Sequence, residues 1–220
     1  MLELQNITKY YQGATHKIYA LKNINLTIKK ADFTIIKGPS GSGKTTLLNI
    51  LSLFDSPNDG YVLYKNKVID NEYAKQQLRL HTIGFIFQSF NLIPVMSALE
   101  NVLLPLRANS KIKIDAQAIK KATDLLNSVG LADKIYTKPV HLSGGQQQRV
   151  AIARSLITSP EIILADEPTA NLDTQTAESI ISLLLEYNQK HNITFVFSTH
   201  DERLAKYAKL TYKLQDGVII

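Results

Sequence analysis

A glycine-rich stretch, GPSGSGKT at 38–45, constrains this chain more than any other feature of its sequence. The pattern G-x-x-x-x-G-K-[ST] forms a loop whose backbone N–H groups point inward and cradle the phosphates of a nucleotide. A short apolar run, Phe33–Lys37, precedes the loop and is typical of a buried strand, whereas residues 46–53 follow with helical periodicity. A strand, a phosphate loop and a helix start in this order predict a parallel α/β core that binds a nucleotide.

The charged and hydroxylated residues at the end of this loop have separate expected roles. Lys44 places its ammonium between the β- and γ-phosphates, and the Thr45 hydroxyl is a ligand for Mg²⁺. The nucleotide contacts expected from this segment are Gly38, Pro39, Ser40, Gly41, Ser42, Gly43, Lys44, Thr45 and Thr46.

Two acidic residues, Asp166 and Glu167, follow the apolar run 162–165. A buried parallel strand presents the residues at its carboxyl end to the ligand, because ligands bind at that edge of an open sheet. We therefore expect Asp166 to hold Mg²⁺ through water. Glu167 is expected to act as the general base on the attacking water.

A second helix start, LSGGQ at 142–146, lies far from the first in the sequence. Ser143 is a favourable N-cap, and the two glycines expose the N–H groups of the first helical turn, which makes an anion site without a lysine. Two phosphate sites on separate helices of one chain suggest that one of them serves the nucleotide of another subunit.

With these residues the chain resembles the ATP-binding-cassette (ABC) ATPases along essentially its whole length. LSGGQ resembles their signature motif, GPSGSGKT their Walker A motif and IILADE (162–167) their Walker B motif. The resemblance extends to a Q-loop glutamine at Gln88, a D-loop aspartate at Asp173, a switch histidine at His200 and an adenine-stacking aromatic residue at Tyr11.

The resemblance implies three sets of site residues. The catalytic set is Glu167, His200, Gln88 and Lys44. The Mg²⁺ set is Thr45, Gln88 and Asp166. Besides the glycine-rich loop, the ATP contacts are Tyr11, Gln88, Ser143, Gly144, Gly145, Gln146, Asp173 and His200.

The expected fold is a single α/β domain of the P-loop NTPase type. It combines a RecA-like parallel sheet with an N-terminal antiparallel β subdomain and an inserted helical subdomain. We place the core and the antiparallel part at 1–88 and 158–220, and the helical subdomain at about 89–157. Phe85 and Phe87 are expected in the core.

The amino-acid sequence of two segments, 84–106 and 142–154, is similar to that of the subgroup that contains MacB-like exporters, the lipoprotein-release ATPase LolD and the division ATPase FtsE. This likeness implies a head-to-tail dimer of cassettes, identical or homologous, that closes on two ATP molecules. Hydrolysis would power export or extraction through a separate MacB- or FtsX-like membrane permease, with a possible extracytoplasmic adaptor. We place permease docking near 90–94 and the helix around 98–104, although these apolar residues also suit a packed core.

Two other functions have to be weighed against transport. An FtsE-like ATPase signals across the membrane to envelope machinery without moving a substrate, and the sequence does not distinguish it from a transporter. A soluble DNA-repair or ribosome-associated ATPase is disfavoured, because only 53 residues separate Gln88 from Leu142 and the chain has a single cassette. A stretch of 53 residues is too short for the long coiled coil of the DNA-repair ATPases.

Composition and net charge limit the kinds of site, partner and cellular location expected for this chain. The chain has 220 residues and no cysteine, which excludes disulfides, thiolate metal sites and thiol nucleophiles. Its net charge is +6, with seven basic and three acidic residues between 107 and 138, which suits an anionic membrane surface. No nucleic-acid partner is expected, because almost no aromatic residue interleaves with these lysines. With no apolar run near 20 residues and no signal-peptide pattern, we expect a peripheral position on the cytoplasmic face of a bacterial membrane.

Overall fold

The computed structural model describes residues 1–13, 16–109 and 112–220. Lys111, one of the seven basic residues counted above, lies outside the described residues. Within these ranges, every helix is too short or too polar to cross a bilayer.

Ten strands and seven α-helices follow one another along the described chain, with a short 3-10 turn at Pro139–His141 before the fifth helix. In chain order they are β1 (Leu2–Gln12), β2 (Lys17–Ile28), β3 (Phe33–Lys37), α1 (Lys44–Leu51), β4 (Asp59–Tyr64), β5 (Lys67–Val68), α2 (Glu72–His81), β6 (Ile83–Ile86), α3 (Ala98–Arg107), α4 (Ala116–Ser128), α5 (Gly144–Leu156), β7 (Ile162–Asp166), α6 (Thr174–His191), β8 (Thr194–Ser198), α7 (Glu202–Ala205), β9 (Leu210–Gln215) and β10 (Val218–Ile219).

The strands form two sheets. A four-stranded antiparallel sheet has the order β2-β1-β4-β5, and a six-stranded sheet has the order β10-β9-β3-β8-β7-β6. In the larger sheet β9, β3, β8, β7 and β6 are parallel, and only β10 runs antiparallel to its neighbour. Parallel pairing brings the carboxyl ends of β3, β7 and β8 to one edge, where the sequence places its phosphate loop, its acidic pair and its histidine.

The larger sheet is apolar on both faces, because alternate residues of a strand point to opposite sides. Ile35, Ile163 and Phe195 pack on one face with the helices α3 to α6. Ile36 and Leu164 pack on the other face with α1 and the antiparallel sheet. This two-sided core confirms the expected P-loop NTPase fold; the division of the chain at 89 and 157 stays a prediction.

The predicted strand at 33–37 and the predicted helix start at Ser143 are confirmed, because Phe33–Lys37 forms β3 and the Ser143 side chain caps α5. The Asp115 side chain likewise caps α4 at the N–H of Ala118. The sequence did not predict α2. The predicted docking helix is largely core, because its apolar residues Ala98, Leu99, Val102 and Leu103 are buried.

Candidate active site

A cleft of about 520 Å³ opens where the carboxyl ends of β3, β7 and β8 meet. It gathers most of the residues that the sequence assigned to the nucleotide, and it adds Ala20, which the sequence did not suggest. The predicted residues that line it are Gly38, Pro39, Ser40, Gly41, Gly43, Lys44, Thr45, Thr46, Gln88, Asp166, Glu167 and His200.

The phosphate loop depends on glycine at the residue that precedes α1. Gly43 has φ +103°, a conformation that favours glycine, and a Cβ there would collide with the Ala20 carbonyl oxygen. From the first position of α1, the Lys44 ammonium donates to the carbonyl oxygens of Gly38 (2.8 Å) and Pro39 (2.9 Å). Ser42 is buried within the loop and does not line the cleft.

Oxygen-bearing side chains from three distant segments line the cleft beside Lys44. The Thr45 hydroxyl donates to Oδ2 of Asp166 at 3.0 Å across 121 residues of sequence, and Gln88 lines the same cleft. A hydroxyl, a carboxylate and an amide oxygen match the hard ligands that Mg²⁺ prefers, and Mg²⁺ usually takes its remaining ligands from phosphates and water. Within the described residues, His, Asp and Glu side chains form no cluster of three that could hold a metal alone. The set therefore fits an ion that arrives with a nucleotide.

Glu167 is fixed by its backbone and by both of its carboxylate oxygens. Its φ is +45°, and its N–H donates to the Ser198 carbonyl oxygen at 2.8 Å. His200 Nδ1 lies 2.9 Å from Oε1, and the Thr199 hydroxyl donates to Oε2 at 3.2 Å. Thr199 was missed by sequence reasoning, although its position directly before His200 is a usable signal.

The loop after β6 is joined to the segment before α6. The Gln88 carbonyl oxygen accepts a hydrogen bond from the Asn171 side-chain amide at 3.1 Å. Asn171 lies in the predicted D-loop, two residues before Asp173. This hydrogen bond links the backbone at Gln88 to the predicted D-loop.

The second predicted anion site is separate from the cleft. Ser143 and Gln146 form a capping box in which the Ser143 hydroxyl accepts from the Gln146 N–H and the Gln146 side chain accepts from the Ser143 N–H. Ser143, Gly145 and Gln146 line a concavity of about 310 Å³, together with residues that the sequence did not suggest: Arg149, Gln175, Thr176 and Ser179. A side chain at Gly145 would collide with Thr176, which explains the need for glycine.

Four of the predicted contacts line neither concavity: Tyr11, Ser42, Gly144 and Asp173. The Tyr11 side chain is 44% exposed, and its hydroxyl donates to Asp55 at 3.2 Å. Asp173 caps α6, and hydrogen bonds from the Thr176 side chain and backbone lower its pKa. Stacking on adenine by Tyr11 and a contact across subunits by Asp173 stay predictions.

The aromatic residues before Gln88 are less buried than the sequence indicated. Phe85 and Phe87 are only half-buried, and they form a cluster with Phe54, which is 52% exposed. After Gln88, Ile93 and Val95 are also exposed, at 41% and 72%. Apolar side chains are therefore accessible on both sides of Gln88 in the sequence.

Comparison with known proteins identifies the family of this chain. The model of a family described as ABC transporter matches residues 21–170. MacB of Bdellovibrio bacteriovorus, a macrolide export ATP-binding/permease protein, is 48% identical over all of this chain, which spans 33% of that protein. LolD of Geobacter metallireducens, the ATP-binding protein of a lipoprotein-releasing system, is 41% identical over all of this chain and 98% of its own length.

Among solved structures, the cassette MJ0796 of Methanocaldococcus jannaschii, in a dimeric post-hydrolysis state bound to ADP and Pi, matches with a TM-score of 0.92. The two chains are 44% identical, and the match covers 100% of this chain and 96% of the other. The similarity thus extends over the whole length of this chain.

Proposed function

This chain belongs to the ABC transporter family, as an ATPase of the MacB and LolD type, and we propose that it acts as one half of a head-to-tail dimer that closes on ATP. The observation that carries this proposal is that one chain has two separate concavities, each beside the start of a helix. The cleft is lined by the lysine and both acids, whereas the Ser143 concavity has no lysine or acid in its lining. Such a half-site suits the γ-phosphate of an ATP molecule bound to the partner's loop.

Within each cleft we assign the steps of hydrolysis as follows. The N–H groups of the loop and Lys44 hold the phosphates, and Glu167 takes a proton from the water that attacks the γ-phosphorus. The bond to the β–γ bridging oxygen breaks, which leaves ADP and inorganic phosphate. Mg²⁺, which Thr45 and Asp166 would hold with Gln88, neutralises charge on the phosphates when bound. His200 orients Glu167 through the 2.9 Å contact.

The Glu167→Gln variant tests the assigned base. Glutamine keeps the size of the side chain but cannot accept a proton, so we expect hydrolysis to fall about 10²- to 10⁴-fold while ATP binding persists. Glu186→Gln, on the exposed face of α6, is the matched control and should keep normal turnover. Near-normal phosphate release by Glu167→Gln would refute the assignment.

We further propose that the apolar side chains on both sides of Gln88 dock a separate membrane subunit. Phe54, Phe87, Ile93 and Val95 offer exposed or half-exposed apolar surface beside a residue that touches the cleft. Docking there couples nucleotide state to a membrane partner, so that this chain, peripheral on the cytoplasmic face of the membrane, powers export or extraction of a substrate through that partner. Because similar proteins occur in bacteria and in an archaeon, a bacterial source stays a prediction.

Recovery of partners from detergent-solubilised membranes tests this surface. Tagged Glu167→Gln protein with Mg-ATP should recover an integral membrane protein, with or without an extracytoplasmic adaptor. Adding Val95→Glu should remove that protein, whereas Val68→Glu, an exposed valine on the antiparallel sheet, should not.

The identity of the recovered proteins distinguishes the candidate functions. A permease supports transport, and a membrane protein with cell-wall hydrolases or division proteins favours FtsE-like signalling instead. Ribosomes or nucleic acid without a membrane protein would contradict both readings.

A further inference from the structure

The Thr199 side chain is completely buried between the end of β8 and His200, so it cannot touch a ligand in the cleft. Its hydroxyl nevertheless makes two polar contacts. It accepts a hydrogen bond from the Asp201 N–H at 3.0 Å, and it lies 3.2 Å from Oε2 of Glu167.

The direction of the second bond follows from the chemistry of the partners. A backbone N–H can only donate and an ionised carboxylate can only accept. The single hydroxyl proton of Thr199 therefore points at Glu167, because the Asp201 N–H occupies a lone pair on the other side of the oxygen. The bond is charge-assisted and has one orientation.

The frame around Thr199 is rigid enough to impose a direction. The Thr199 N–H donates to the Ile36 carbonyl oxygen, which ties it to the strand that leads into the phosphate loop. The Asp201 carboxylate accepts from Thr169 at 2.8 Å and from the Arg203 guanidinium at 2.7 to 3.1 Å. Thr169 and Arg203 therefore hold Asp201, whose N–H donates to the Thr199 hydroxyl.

We propose that Thr199 is a positioning residue that orients the Glu167 carboxylate toward the attacking water. Two donors to two different oxygens fix the rotation of the carboxylate about its terminal bond, which a single contact leaves free. The other donor, His200, has a side chain that is 76% exposed. Thr199 supplies the contact that persists if His200 turns toward a phosphate. The role rests on the proposed base function of Glu167.

Steady-state kinetics of Thr199→Val and Thr199→Ser test the role. Valine has the shape of threonine without its hydroxyl, so we expect kcat to fall about 10- to 100-fold, as for a lost hydrogen bond to a charged group, with the KM for ATP within about twofold. Serine keeps the hydroxyl and should restore kcat to within about threefold of the wild type.

Thr34→Val is the matched control. Thr34 is equally buried, lies on the neighbouring strand β3 and has a hydroxyl without a partner, so its loss should leave kcat unchanged. The double variant Thr199→Val, Glu167→Gln completes the test. It should hydrolyse ATP as slowly as Glu167→Gln alone, because orienting a group that is no longer a base has no effect.

The outcomes separate the two assignments. If Glu167→Gln is slow but Thr199→Val matches Thr34→Val, the positioning role is refuted and the base role stands. If Thr199→Ser is as slow as Thr199→Val, or the KM rises as much as kcat falls, packing accounts for the effect and the proposal is also refuted. Near-normal turnover by Glu167→Gln refutes the base role on which the proposal rests.

Discussion

The Glu167 side chain enters the cleft from a backbone conformation that glutamate rarely adopts. Its φ of +45° costs about 1 to 3 kcal/mol for a residue other than glycine. The structure offsets this cost with the bond from the Glu167 N–H to Ser198 and with donors to both carboxylate oxygens. Asp166 bonds to Thr45 whereas Glu167 bonds to Thr199 and His200, so the two adjacent acids have separate partners.

Asp201 connects this arrangement to the pH dependence of stability. Hydrogen bonds from the Arg203 guanidinium, opposed by burial and aided by the Arg203 N–H and Thr169, lower the pKa of Asp201 to about 2 from its ordinary value of 3.8. A lowered pKa in the folded state stabilises the fold above the unfolded-state pKa. That contribution is lost as the pH falls from about 4 toward 2.

The Asp201→Asn variant should therefore lower the free energy of unfolding at pH 7, by about 1 to 2 kcal/mol once screening by solvent is allowed for. The difference from the wild type should shrink as the pH falls below 4, because the wild-type carboxylate then becomes protonated. Urea unfolding at several pH values measures this, with the exposed Asp70→Asn as the control. A difference that is constant from pH 7 to pH 3 would contradict the assignment.

At the scale of elements, helix α5 holds the loop that follows Gln88. From the last turn of α5, the Arg154 guanidinium donates to the carbonyl oxygens of Phe90 and Asn91, both at 2.6 Å. Phe90 and Asn91 have φ values of +60° and +49°, and burial lowers the pKa of Arg154. The same helix begins at Ser143, so one rigid element joins the second anion site to the loop of Gln88.

Removing this clamp should loosen the loop without unfolding the helix. In Arg154→Met we expect faster amide hydrogen exchange at 89–92, little change within α5, and a loss of about 1 to 3 kcal/mol in the free energy of unfolding. Arg154→Lys should give an intermediate effect, because an ammonium lacks the planar fork that reaches two carbonyls. Unchanged exchange at 89–92 in Arg154→Met would show that the clamp does not hold the loop.

The elements that the sequence predicted are those with a strong local signal. Apolar runs indicated β3 and β7, and the Ser143 cap indicated α5. Helix α2 escaped detection because it is polar, and Lys75 is its only buried residue. Its contacts include polar ones, such as the hydrogen bond from the Arg79 guanidinium to the Leu53 carbonyl oxygen. Such contacts leave no periodic pattern of apolar residues in the sequence.

In the candidate site, too, the residues of local motifs were predictable and the long-range contacts were not. Contiguous motifs identified Lys44, Asp166 and Glu167, because each loop carries its own chemistry in the local sequence. The contact of Thr199 with Glu167 spans 32 residues and exists only because β7 and β8 pair in the register that puts Asp166 opposite Ser198. The single-sequence pattern carries no information on that register.

At the scale of the whole molecule, each chain has two separate concavities, which we propose are halves of different sites. The lining of the 520 Å³ cleft does not include the start of α5, and the lining of the 310 Å³ concavity lacks Lys44 and both acids. Two copies, each with a net charge of +6, repel one another until anions enter between them. ATP supplies that negative charge, so nucleotide binding and dimer closure should be coupled.

Light scattering of Glu167→Gln protein with and without saturating Mg-ATP tests this account most directly. The account predicts a single chain of 24.6 kDa without nucleotide and about twice that mass with ATP. Adding Ser143→Arg, whose bulk fills the place of the partner's phosphate, should restore the single-chain mass while ATP still binds the cleft. A Glu167→Gln protein that remains at 24.6 kDa with ATP bound would contradict the shared-site dimer.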